Sequence, residues 1–333
     1  MKRIVCLIAL AAVLLSFTGC AVQTEHNDDE ISIVTTVFPP YDFVRQITEH
    51  AENVTVVQLL RPGMESHTFD PTPADILAVQ NCDLFIYTGG ESDQWVETLL
   101  EAAPDAAERA VRMVDLVDAV GEDHIEGSTH RHEHEHDHEH EHESDREVLD
   151  SDHVEYDEHV WTDPHNAMII TESLCQTICG LDALHAALYE ENTAAYLAEL
   201  KALDELLHET AEHAEYRTLV FGDRFPMRYL CDAYGLGYRA AFPGCAAESE
   251  PSAATMIYLI EKVKTEKTPA ILTIEMSNQK IARAISDETG APILQMHSCH
   301  NRTADEAAAD KSYLDLMYEN AEVLKIALGT HEH

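Results

Sequence analysis

Between residues 132 and 143 imidazole and carboxylate side chains alternate without a break: His132, His134, His136, His138, His140 and His142 are separated by glutamates and one aspartate. No apolar side chain interrupts the run, so it has nothing to contribute to a core. Neutral imidazole suits zinc, copper and nickel, and the interleaved carboxylates add a negative potential that concentrates cations. The run lies inside a polar stretch from Gly121 to Glu158 that reads as an unstructured, low-affinity metal-binding loop. A divalent transition metal, zinc first among them, is the ligand this composition points to.

A tight site needs more than a polar ribbon. It needs three or four ligands held by rigid elements. Two histidines outside the alternating run stand in short, well-held loops. His67 lies in Arg61-Pro-Gly-Met-Glu-Ser-His-Thr-Phe-Asp-Pro71, after a strand-like run and a Pro-Gly turn. It is followed by Thr72, Pro73 and Asp75, a capping hydroxyl, a first-turn proline and an acid three residues on, which start a helix. His159 lies in Asp157-Glu-His-Val-Trp-Thr-Asp-Pro164, where apolar residues resume after the polar stretch. Asp163 is placed either to cap the next helix or to accept the second ring proton of a ligating His159. His124, His130, His153, His165, His185, His208 and His213 read as loop or surface residues, and Trp161 as core.

Two similar halves must position these groups. Each alternates short apolar runs with helical patterns, which predicts α/β lobes with parallel sheets. The strand-like runs are Ile31–Val37, Val54–Leu59, Asp83–Thr88 and Ala110–Val114 in the first half. In the second they are Thr218–Phe221, Gly237–Ala241, Ala270–Glu275 and Ile293–Met296. Ligands gather at the carboxyl ends of such strands. The organisation expected is an N-terminal α/β lobe over 31–182, carrying the metal loop 121–158, a stiff linking helix over 183–215 with Leu197, Leu200, Leu203 and Leu207 on one stripe, and a C-terminal α/β lobe over 216–333.

The first residues read as a secretory signal over 1–19: Lys2 and Arg3, then an apolar run from Ile4 to Leu15 too short to span a bilayer, then small residues before Cys20. Either Cys20 is lipidated, with 20–30 a polar leash, or the signal is simply cleaved. The formal net charge of −41 speaks against nucleic acid or an anionic lipid surface as partner and favours a cation. Outside the cytosol disulfides are allowed, and Cys245 with Cys299 is the pair of most interest. Cys175 and Cys179, one helical turn apart, read as a buried face.

The segments Pro62–His67 with Pro71–Asp75, and Asp157–Pro164 preceded by a histidine-rich insertion, resemble the zinc- and manganese-binding lipoproteins that serve ABC importers, the cluster A-I solute-binding proteins. The resemblance runs from about residue 31 to the C-terminus. It implies two four-stranded lobes joined by one long helix, with the metal in the cleft between them and two ligands from each lobe. On that pattern His67 and His159 are the N-lobe ligands, the third position falls on Gly222, which has no side chain to offer, and the fourth on His297. The implied set is His67, His159 and His297, completed by Cys299, His300, Asp223, Glu275 or water. Each of these has another use: Cys299 a bridge to Cys245, His300 solvent, Asp223 a pair with Arg224, Glu275 a brace at a strand end.

An imidazole-rich set favours zinc over manganese, which prefers harder oxygen ligands. The function implied is a monomeric, membrane-tethered extracytoplasmic protein that delivers Zn2+ to an ABC permease and its ATPase and is not an enzyme. A manganese carrier of the same type and a metal-dependent surface adhesin are the alternatives. A zinc hydrolase finds no His-Glu-x-x-His pair or Ser-His-Asp signature to support it.

Overall fold

The computed structural model describes residues 30–66, 69–121, 156–244 and 251–330. The proposed signal and Cys20, His67, the alternating His/Glu run and Cys245 lie outside the described residues. All eight strand expectations are met: β1 Ile31–Thr35, β2 Val54–Gln58, β3 Leu84–Tyr87, β4 Ala110–Arg112, β5 Thr218–Phe225, β6 Gly237–Pro243, β7 Ile271–Thr273 and β8 Ile293–Gln295. They form two four-stranded sheets, in the orders β2-β1-β3-β4 and β6-β5-β7-β8, and every pairing is parallel. Helices cover both faces of such a sheet, so its central strands are apolar throughout rather than alternating. All four residues of β3, Leu-Phe-Ile-Tyr, are buried.

In each sheet the order reverses beside the first strand of its half, between β1 and β3 and between β5 and β7. The crevices beyond the carboxyl ends of the strands lie at these reversals, and that is where a ligand site belongs in an open α/β sheet.

The helices are α1 Phe38–Ile47, α2 Pro73–Asn81, α3 Gln94–Ala102, α4 Pro104–Ala107, α5 Pro164–Leu181, α6 Ala186–Glu212, α7 Arg228–Ala233, α8 Ala253–Glu266, α9 Lys280–Thr289, α10 Ala304–Ala308 and α11 Tyr313–Ala327. α2 starts in the expected capping box of Thr72 and Asp75. The linking helix is α6, 27 residues and so about 40 Å long. Leu200, Leu203 and Leu207 are buried along it, and it packs against α5, α1 and α11.

α11 departs from the expected C-terminal lobe in one respect. It lies on α6 and on α1, a helix of the first half, and the N–H of Tyr313 donates to Asp42 of α1 at 2.9 Å. Phe43, Trp161, Leu203, Phe221 and Tyr313 accordingly share one apolar cluster that runs through both halves. Cys175 and Cys179 are free thiols with their Sγ atoms 3.9 Å apart. No helix among the described residues is long and apolar enough to cross a membrane.

Candidate metal centre

The short helical turn Val160–Thr162 leads into α5, and His159 sits at its head, 1% exposed. Both the backbone N–H and Nδ1 of His159 lie 2.9 Å from Oδ1 of Asp157. A carboxylate can only accept, so the ring proton is on Nδ1 and the lone pair is on Nε2, the state a metal requires. Asp157 is itself held: its N–H donates to Val120 O at 3.0 Å, and the Tyr229 hydroxyl donates to its carbonyl at 2.8 Å. Asp163 takes the other of its two expected roles, capping α5 by accepting the N–H of His165. Gly121 and Tyr156 pair across a single bridge, so the two ends of the polar stretch meet two residues from Glu158.

Glu158 is fully buried. Its Oε2 accepts the N–H of Ser92 at 3.0 Å and its Oε1 the Ser92 hydroxyl at 2.6 Å. The close approach depends on Gly90, where a Cβ would lie 2.3 Å from the Cβ of Glu158. Behind it, burial and then the Glu158 charge push Asp93 up to about 7.

The partner of His159 comes from the loop after β8. His300 has its ring centroid 5.3 Å from that of His159 at 87°, and 5.2 Å from that of Trp161. Its Nδ1 is 3.4 Å from the Ser66 hydroxyl and its Nε2 is 3.7 Å from Oε1 of Glu158. One donor atom from each of Glu158, His159 and His300 lies within 4.8 Å of the others, and all three residues are buried. Two imidazole nitrogens on one tetrahedral zinc stand about 3.3 Å apart, given Zn–N near 2.0–2.1 Å. A small contraction would therefore close the group on an ion. The cleft beside His159 and His300, lined also by Ser66, Gly244 and Ser298, has a volume of about 20 Å³, room for a single ion or water.

The structure brings His159 together with His300 rather than with His297. His297 is 4% exposed and committed to its own segment. Nδ1 accepts the N–H of Cys299 at 2.8 Å, Nε2 faces Glu306 at 3.3 Å, and the backbone N–H and C=O are both bonded to Asn320. Glu275 is the brace rather than a ligand: Oε2 accepts the N–H of Ser298 at 2.8 Å and Oε1 its hydroxyl. Cys299 is a buried free thiol directed at the carbonyl of His297. Asp223 accepts the N–H of Arg224 and lines a neighbouring cavity of about 160 Å³.

Gly222 also has a local reason. A Cβ there would lie 2.6 Å from the Cα of Ala282 in α9, and the β5–β6 register shifts between Phe221 and Arg224. No ligating side chain fits at that position. The roles of Asp157 and Glu158 do not follow from the sequence reading; the Asp-x-His spacing is the one signal available for the first.

The model of one protein family, zinc-uptake complex component A, periplasmic, matches residues 33–327. The chain belongs to that family. Among its relatives is the high-affinity zinc uptake system protein ZnuA of Bacillus subtilis, 29% identical over 330 residues, with 97% of each chain covered. The zinc-binding lipoprotein AdcA of Streptococcus pneumoniae is 28% identical over 326 residues, covering 98% of this chain but only 61% of that longer protein. A solved structure, the metal-dependent lipoprotein YcdH from Bacillus subtilis, superimposes with a TM-score of 0.71 at 25% identity, covering 90% of this chain and 100% of the other. The family is one of periplasmic components of zinc-uptake complexes. Its two-lobed architecture is the one the strand and helix pattern predicts.

Proposed function

We propose that the protein captures zinc outside the cytoplasm with high affinity and hands it to an ABC permease driven by its ATPase, the lipidated Cys20 keeping it at the membrane as a monomer. The observation that carries this reading is the buried group of His159, His300 and Glu158, with Asp157 fixing the tautomer of His159. His67, one residue beyond Ser66, is the third imidazole on the strength of its motif. Glu158 or a water completes the set. Imidazole nitrogen with a single carboxylate favours zinc over manganese. Because protons compete for the same nitrogens, affinity falls as the pH is lowered.

The alternating His/Glu run acts as a reservoir, binding zinc weakly at many sites. The residues that flank the polar stretch containing it, Gly121 and Tyr156, are bridged to one another close in sequence to Glu158 and His159, which supports this role. The test is a competitive titration of the full chain and of a variant lacking residues 122–152 with zinc and manganese, in the presence of a chelator. One tight zinc in both, with the weak sites confined to the full chain, supports the reading. Equal affinity for manganese, or no tight site in the shortened protein, defeats it.

A further inference from the structure

The segment Met296–Arg302 follows β8 in the second sheet, yet it is fastened to the first half of the molecule. Phe38 N–H donates to His300 O at 3.1 Å, Gly63 N–H to Arg302 O at 2.8 Å, and Trp161 Nε1 to Ser298 O at 2.8 Å. One side chain of the segment makes as many bonds to the first half as these backbone carbonyls do. Asn301, 1% exposed, donates through Nδ2 to Arg61 O at 2.7 Å and to Met64 O at 3.0 Å. Its Oδ1 accepts from Gln58 Nε2 at 3.0 Å and from the N–H of Arg302 at 2.9 Å. All the polar capacity of the amide is used, and the amide reads in both directions: only asparagine at this size donates twice and accepts twice.

We infer that Asn301 is a positioning residue for metal capture, a clasp that holds the His300 loop in register with the turn Arg61–Ser66 so that His300 meets Ser66 and His159 before the metal arrives. The inference rests on the ligand reading above and adds what sets its geometry. The two loops it joins come from opposite sheets, at the carboxyl ends of β2 and β8. If the clasp is loosened, His300 gains freedom that the metal has to remove on binding, and dissociation quickens. Groups that orient ligands without touching the metal carry about a 10- to 100-fold effect on affinity when removed.

The test compares the full chain with Asn301→Asp, which keeps size and acceptor and loses both donors, using one equivalent of metal per protein. Zinc release to a chelator should be about 10- to 100-fold faster. The visible absorption of bound cobalt(II), strong only in tetrahedral sites, should weaken; a merely structural role would leave it unchanged. Gln58→Met, which removes the donor that orients Asn301 together with its bond to the carbonyl of Leu60, should move both readouts the same way by less, and it decides the matter if Asn301→Asp does not fold. Unchanged release and absorption in the folded variant overturn the clasp. His300→Ala separates the two readings: retained zinc affinity there overturns the ligand set, whereas loss there with a silent Asn301→Asp overturns the clasp alone.

Discussion

The neighbour two residues back prepares His159 for the ligand role proposed for it. The Asp157 carboxylate holds the ring proton on Nδ1 and orients the ring at the same time. Asp157→Asn should weaken zinc binding about 10- to 100-fold while leaving the fold intact, and His159→Ala or His300→Ala should abolish the tight site; chelator competition measures all three. His300 was harder to foresee than His159. It and His297 lie three residues apart in an irregular loop with no period to tell inward from outward, and only the folded loop shows His297 turned to Cys299 and Glu306 and His300 turned to His159. A second residue-scale prediction concerns pH. Burial, only partly offset by the Tyr313 N–H, pushes Asp42 from 3.8 up to about 6. The native chain thus keeps a proton that the unfolded chain has released over that interval, so this contribution to stability is complete below about pH 4 and is lost as the pH rises through 6. The loss is up to about 3 kcal/mol. Denaturant unfolding at pH 4 and 7 should show it in the parent protein and not in Asp42→Asn.

The strands were legible because parallel sheets leave nearly unbroken apolar runs, and α2, α5 and α6 because their caps or their long leucine stripe stand out. α4 and α10 are four and five residues long, too short for any period to register. The docking of α11 on α1 is a long-range packing choice that local pattern does not encode. Two predictions belong to elements. Leu203 is fully buried in α6, and Leu203→Ala should cost about 2–5 kcal/mol by chemical denaturation. Gly222→His would place an imidazole where the resemblance led us to expect a third ligand, but β5 lies too close to α9 there. The variant should lose about 1–3 kcal/mol of stability or more, with no gain in zinc affinity.

Across the whole molecule, two sheets repeat one strand order, and a loop from each half supplies one of the buried imidazoles His159 and His300. The loop after β8 is tied to the first half by backbone and side-chain bonds, so the halves are already joined at the site rather than brought together only by the metal. The acidic excess, a net charge of −41, attracts cations to the protein over distances that salt would shorten. The most direct test is a crystal structure of the zinc-loaded protein with anomalous scattering collected at the zinc edge. One strong peak within about 2.0–2.1 Å of Nε2 of both His159 and His300 is the predicted result. A tight zinc bound at His297 instead, or one that touches neither His159 nor His300, would contradict it.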